Sequence, residues 1–317
     1  MRIRKWVAII VAAAGVAACG QPGSSSAPEA PNGSAGAATA AEQLPSGPGQ
    51  ATIGSANFPE SELLAYLYAG ALQARGVKVK VHANIGERAS YMAALADGSL
   101  DMVPEYSGAL LNYLDRTSTD KDERGIQAAL TRVALQRGYV VGSISPAQDV
   151  DTLTVTKDTA ARYRLRTIGD LKTVSASLTL GAPAPFQTVP YGSPGLRSVY
   201  GVTFGRFVPL APGGAVTETA LRKGTIDVAD IFSTDPAITR NNFVVLEDPK
   251  NVFAAENIVP IFRADTASQP MLDAADAVSD ALTTPELSRL VAQLSRGADP
   301  AVVAKTWLAD QQLAPAQ

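Results

Sequence analysis

Four helix-periodic segments of this chain each stop at a glycine, and each is followed by a short apolar run. Segment 60–75 ends at Gly76, 87–97 at Gly98, 122–137 at Gly138 and 216–223 at Gly224. In the first, Leu63, Leu67, Gly70 and Ala74 recur at helical spacing. A glycine just past a helix accepts the left-handed backbone that closes the last turn. Between the helices lie strand-like runs at 52–54, 100–103, 139–141, 152–156, 178–180, 227–232, 244–246 and 258–262. Val77, Val79 and Val81 alternate with Lys78 and Lys80, the pattern of a half-buried strand. A strand that feeds a helix must return across the sheet, so this alternation predicts an α/β chain with mainly parallel pairing. A short helix is expected at 194–200, and the chain from Asp265 reads as helical. Asp235-Pro236, Thr284-Pro285 and Asp299-Pro300 read as a cap followed by a first-turn proline.

Composition narrows the function. The 317 residues are 46% hydrophobic, enough for a two-lobed body. The net charge is -3, and no basic block lies beyond the first five residues, which argues against nucleic acid as a partner. The single cysteine, Cys19, and single histidine, His82, exclude a disulfide framework, a cysteine zinc cluster and a histidine-rich metal site. No cofactor or metal is expected. There is no Gly-x-Ser-x-Gly, no phosphate loop and no base partner for a nucleophile. An exported hydrolase working with carboxylates alone is the enzyme class left open.

The N-terminus reads as an export signal over residues 1–18. Arg2, Arg4 and Lys5 precede an apolar stretch at 6–16 that is short for a bilayer span. Val16-Ala17-Ala18-Cys19-Gly20 resembles the lipobox of bacterial lipoproteins, in which the cysteine becomes a lipidated N-terminus. Losing the leader's three cations leaves a mature charge of about -6. Residues 19–50 are rich in Ser, Ala, Gly and Pro and read as a flexible tether. The expected location is therefore outside the cytoplasm, on the membrane.

Two segments share a grammar. Gly98-Ser-Leu-Asp-Met-Val leads to Pro104-Glu105-Tyr106, and Gly224-Thr-Ile-Asp-Val-Ala leads to Asp230-Ile231-Phe232. Each puts an aromatic at the C-terminal end of a strand, where ligands meet open α/β sheets.

Here the chain resembles a known family. Ile53-Gly-Ser-Ala-Asn-Phe-Pro-Glu60, Pro104-Glu-Tyr-Ser-Gly-Ala-Leu-Leu-Asn-Tyr-Leu114, Phe232-Ser-Thr-Asp-Pro236 and Val245-Leu-Glu-Asp-Pro249 occur in order. They resemble segments of the glycine betaine/choline-type (OpuAC-like) substrate-binding proteins of ABC importers. The resemblance implies a two-lobed, type II-like periplasmic-binding-protein fold with two hinge crossovers near 145–150 and 248–256. Lobe 1 is expected to comprise 51–147 and 257–317, and lobe 2 148–256. It implies a monomer that captures a small solute and delivers it to an ABC permease with its ATPase, anchored by lipid on Cys19. A non-transport envelope sensor or carrier on the same fold is the alternative.

The family holds a quaternary ammonium in an aromatic cage and a carboxylate with polar groups. Tyr106 and Phe232 match two cage positions, while Asp151 and Ser193 stand where aromatics are common, with Tyr191 nearby. Asn57 and Phe58 of the first loop and Thr234 after Phe232 complete the expected ligand contacts. Ala56, Ser61, Ala109 and Val189 replace the family's usual Lys, Gln, Thr and Arg. Losing that Arg removes a charge-assisted partner for a carboxylate, so glycine betaine itself is expected to bind weakly. Ordinary readings stand beside these: core packing for Tyr106 and Phe232, a helix cap for Asn57, a surface carboxylate for Asp151. Gly213-Gly214 reads either as a plain turn or as an amide cradle for an anion.

Overall fold

A computed structural model describes residues 49–314. The leader over 1–18, Cys19 and nearly all of the 19–50 tether lie outside the described residues. The chain first forms β1 (Gln50–Gly54), α1 (Pro59–Ala74), β2 (Lys78–His82), α2 (Arg88–Asp97), β3 (Met102–Tyr106), α3 (Ser107–Leu114), α4 (Glu123–Gln136) and β4 (Tyr139–Val141). Then come β5 (Asp151–Val155), α5 (Lys157–Tyr163), β6 (Thr179–Ala182), α6 (Ser193–Gly195), β7 (Arg206–Pro209), α7 (Gly214–Arg222), β8 (Val228–Phe232), α8 (Ala237–Arg240) and β9 (Val244–Val245). It ends with β10 (Ile258–Arg263), α9 (Gln269–Ala281), α10 (Thr284–Leu294) and α11 (Pro300–Asp310). Among the described residues no helix is long and apolar enough to cross a membrane.

Two five-stranded sheets result, in the orders β2-β1-β3-β10-β4 and β7-β6-β8-β5-β9. The strand–helix–strand units pair in parallel: β1 with β2 and β3, and β6 with β7 and β8. The expectation of mainly parallel pairing is corrected by the strands that cross between sheets. β10 runs antiparallel to β3 and β4, and β5 runs antiparallel to β8 and β9. These strands enter from the other sheet, not over a covering helix, so the right-handed crossover that enforces parallel pairing does not govern them.

Each sheet is covered on both faces. On the first, α1 buries Leu63, Leu64, Leu67, Tyr68 and Leu72 against Val278, Leu287 and Trp307 of α9, α10 and α11. Each such side chain contributes about 1.5–3 kcal/mol on burial. The opposite face holds Met92, Leu95, Leu110, Leu114, Ile126 and Leu130 of α2, α3 and α4. α2 stops at Gly98, whose φ of 86° is the left-handed geometry expected there. Asp299 caps α11 by accepting from Ala301 and Val302 amides, with Pro300 in the first turn. β7 is an edge strand bonded to β6 alone and ending in Pro209, so it carries no hydrophobic alternation to read. α3 is likewise hidden, because Gly108 in its first turn lowers helical propensity.

The two crossovers run side by side. Ile258 N donates to Ala147 O at 2.9 Å, Ser145 N to Ile258 O at 2.8 Å and Asp149 N to Glu256 O at 3.1 Å. Asn257 is fully buried, bonding Ser145 O through Nδ2 at 2.9 Å and Ser107 Oγ through its amide at 3.1 Å. The chain therefore enters and leaves the second sheet at one place, beside the ends of β3, β5 and β8.

Candidate ligand cleft

The first wall is the start of α1. Ser61 Oγ accepts from Ala56 N at 3.0 Å, which folds the loop back onto the helix. Pro59 occupies the first turn, where its missing N–H has no partner to lose. Phe58 is thereby left 39% exposed at the cleft, while Glu60 turns inward and is 7% exposed.

The second wall is the end of β3, where neighbouring side chains take opposite faces. Glu105 is fully buried and receives Arg88 in a fork, Nε to Oε1 at 2.7 Å and Nη2 to Oε2 at 3.0 Å. Tyr91 Oη and Tyr106 N donate to the same carboxylate at 2.9 and 3.0 Å. Tyr106 points the other way, and its hydroxyl donates to Glu60 Oε1 at 2.8 Å. The rings of Phe58 and Tyr106 lie 6.1 Å apart, tilted by 30°.

The second sheet supplies the opposing side. Asp151 begins β5 directly opposite Phe232 at the end of β8. Phe232 is 37% exposed. Asp230 sits two residues back, on the Phe232 face of the strand. It is 1% exposed, pairs with the Asp151 carboxyl, and leaves Oδ1 without a partner. Thr234 Oγ1 donates to Asp149 Oδ1 at 2.7 Å.

The crossovers form the floor. Glu256 Oε2 accepts from Ala109 N at 2.9 Å, in the first turn of α3, and the adjacent Gly108 amide also favours its charged form. A Cβ on Gly108 would come within 2.6 Å of Ala255 O and 3.0 Å of Glu256 Oε1, so only glycine allows this approach. Together these walls enclose a cleft of about 950 Å³ lined by Phe58, Glu60, Tyr106, Asp149, Asp151, Phe232, Thr234 and Glu256 among others. That is the upper range for small-molecule sites.

The cleft is acidic, and burial shifts its carboxyl groups upward. Burial, reinforced by Asp149, pushes Glu60 up to about 8. Burial, reinforced by Asp151, pushes Asp230 up to about 8. Burial raises Glu256 to about 7 against the opposing pull of its amide bonds and Arg88. Asp149 and Asp151 are raised chiefly by burial as well. Low-dielectric burial penalises each charge, and like charges add to the penalty. Among the described residues no group of acidic, His or Cys side chains is arranged to hold a metal ion.

Of the eight residues expected from sequence, Phe58, Tyr106, Asp151, Phe232 and Thr234 line this cleft. Asn57 is exposed beside it, and the helix cap position falls to Phe58, so Asn57 does not cap α1. Ser193 starts α6 outside the lining. Tyr191 also lies outside it, with a hydroxyl raised by burial and by the fields of Asp151, Asp230 and Glu256. Gly213 and Gly214 do not offer free amides: they donate to Asp230 O and to Asp235 Oδ2, both at 3.1 Å. Sequence reasoning missed Glu60, Asp149 and Glu256 in the cleft and Asp230 buried behind it. They come from four separated segments, and only the Asp149-x-Asp151 spacing hinted at them.

The sequence pattern of the substrate-binding domain of ABC-type glycine betaine transport systems matches residues 49–310. A carnitine transport binding protein of Listeria monocytogenes is 26% identical over 63% of this chain. That match spans 66% of the Listeria protein, slightly under two thirds of its length. A glycine-betaine-binding protein of Pseudomonas aeruginosa is 24% identical over 67% of this chain and 71% of its own. Among solved structures, a glycine betaine/carnitine/choline ABC transporter protein superposes with a TM-score of 0.77. It is 24% identical, over 83% of this chain and 98% of that one. That likeness establishes the two-lobed α/β fold.

Proposed function

We propose a function from one premise: the chain belongs to the family of substrate-binding domains of ABC-type glycine betaine transport systems. It acts as the extracytoplasmic binding subunit of an ABC importer. It captures a small solute between two lobes and hands it to a membrane permease driven by an ATPase. The family is one of transport proteins, and we read this member as binding its solute without turnover. The lobes are 51–147 with 257–317, and 148–256. The export leader is removed, Cys19 carries the lipid anchor, and the body works as a monomer on its tether.

One observation carries this reading. Phe58, Glu60 and Tyr106 from the first sheet's elements and Asp151, Phe232 and Thr234 from the second converge on one cleft beside the crossovers. A solute bound there touches both lobes at once, which is what couples binding to closure. Tyr106, Phe232 and Phe58 supply ring faces, and Asp151 and Thr234 polar contacts. Asn57, Tyr191 and Ser193 are rim residues that reach the solute on closure. The acidic surroundings favour a cation over the glycine betaine zwitterion, whose carboxylate would meet like charge.

Titration calorimetry of the full-length protein against a panel of small organic cations and zwitterions tests the reading. Saturable one-to-one binding with the solute recovered unchanged is expected. Absence of binding across the panel, or chemical conversion of a bound solute, would remove it.

A further inference from the structure

The cleft is unusual in its hydrogen-bonding balance. Each polar donor near its floor already faces an acceptor of the chain itself. The Tyr106 hydroxyl donates to Glu60, and the Thr234 hydroxyl to Asp149. Arg88 forks onto Glu105, and Arg240 onto Glu218 at the outer wall. The first amides of α3, a ready seat for an anion, hold the chain's own Glu256. The Gly213 and Gly214 amides are also taken, by Asp230 O and Asp235. Arg296 is the remaining lining cation, at the end bordered by Val291, Leu294 and Ser295.

Carboxyl groups, in contrast, are in excess, and a bound cation draws them into their acceptor form. Glu60, Asp149, Asp151 and Glu256 all line the cleft. Behind Asp151, the buried Asp230 carboxyl pairs with Asp151, and its Oδ1 takes no donor from any other described residue. A buried acceptor without a donor is costly, and its partner Asp151 faces the cleft, so the pair is completed by something that brings donors to Asp151. These carboxyl groups are not arranged as a metal-binding set, and aromatic rings share the walls. Both facts favour an organic cation over a metal ion.

Building on the importer reading above, we infer that the solute is an organic cation carrying N–H donors, a protonated amine or guanidinium without a carboxylate. A quaternary ammonium satisfies the charge of the cleft but cannot donate to its open acceptors. A zwitterion brings a carboxylate that finds both amide seats occupied. A protonated amine does what neither can: its charge offsets the carboxylates, its N–H groups reach their lone pairs, and its alkyl stem lies on Phe58, Tyr106 and Phe232.

The test is calorimetry on the full-length protein with ethanolamine, 1,4-diaminobutane and agmatine, against choline and glycine betaine. Ethanolamine and choline differ only in N-methylation, so that pair isolates the donors. At least one N–H cation should bind tenfold or more tighter than choline, and glycine betaine should bind more weakly still. Asp230→Asn, which keeps the shape but removes a carboxyl that a bound cation can draw into its charged form, should weaken that cation by tenfold or more. Tighter binding of choline or glycine betaine than of all three amines overturns the inference and leaves the importer reading standing. Failure of all three amines to bind also overturns it. Failure of every solute, in this set and in the wider panel, removes both.

Discussion

Tyr106 donates its hydroxyl to Glu60 across 2.8 Å, which ties the end of β3 to the first turn of α1 and fixes the ring at the cleft wall. Tyr106→Phe keeps the ring and leaves Glu60 short of one donor. Global stability should fall by about 1–2 kcal/mol in urea unfolding, the cost of a buried hydrogen bond. Tyr106→Ala also removes the ring face and should weaken the bound cation at least tenfold, equivalent to about 1.4 kcal/mol. Equal affinities for wild type and Tyr106→Ala would take Tyr106 out of the site.

The buried acids set the pH dependence of the free protein. Glu60 and Asp230 are raised to about 8 and Glu256 to about 7, each by burial first. In the unfolded chain such groups titrate near 4. Between about pH 4 and 8 the folded state therefore holds more protons than the unfolded state. Stability from these groups is full below the unfolded value and is lost as pH rises through the folded values. The ligand-free melting temperature should fall from pH 5 to pH 8, and Asp230→Asn should flatten that slope. A melting temperature that rises over this window would contradict the burial of these groups. A bound cation should reverse the trend by favouring the charged carboxylates, so its affinity should rise with pH.

Gly108 allows the α3 amides to reach Glu256. Gly108→Ala places a methyl group against Ala255 O and Glu256 Oε1, at 2.6 and 3.0 Å before relaxation. One of the partners is backbone, so the crossover must shift. Overpacking of this kind costs about 1–3 kcal/mol. Thermal unfolding should show the loss, and calorimetry should show weaker capture because the floor of the cleft moves. An unchanged melting temperature would mean that the crossover yields freely at this point.

Much of this arrangement was legible in the sequence where the signal is local. The glycine stops and the Val77–Val79–Val81 alternation mark elements because helix closure and strand pleating each act within a few residues. Tyr106 and Phe232 could be placed at strand ends for the same reason, and both line the cleft. The antiparallel insertion of β10 and β5 was not legible, because it depends on the path between sheets and not on any stretch of chain. The acid pairs were hidden likewise. Glu60 meets Tyr106 from 46 residues away, Asp149 meets Thr234 from 85, and Glu256 meets Ala109 from 147. Edge strand β7 left no pattern because neither end of it is buried.

Anchoring can be separated from folding. The described core begins at Ala51, well after Cys19. Cys19→Ala should move the protein from the membrane fraction to the soluble fraction while its melting temperature stays unchanged. Retention in the membrane fraction after salt washing would refute lipid attachment at Cys19.

Closure is the last expectation. On the first sheet's side, Ser145 Oγ donates to Leu282 O at 2.7 Å and Asn257 is locked between Ser145 and Ser107. On the second sheet's side, Val150 N donates to Ser233 Oγ at 3.0 Å, and that hydroxyl donates to Gln148 O at 2.8 Å. Both ends of the first crossover are thus fastened, and its rotation must concentrate around 148–149, while Ala255 and Glu256 of the second are held to the first sheet's side by Lys121 O and the Ala109 amide. The first crossover includes Asp149, so a cation bound to it draws on the hinge directly. Spin labels at Leu135→Cys and Val216→Cys, in a Cys19→Ala background, report the motion without touching the cleft. Both positions are strongly exposed, at 67% and 71%, and sit on α4 and α7 beside opposite sheets. Saturating ligand should change and narrow their distance distribution, and small-angle scattering should show a smaller radius of gyration. An unchanged distance together with an unchanged radius would mean that the solute is held without closure, and that the crossovers are struts and not a hinge.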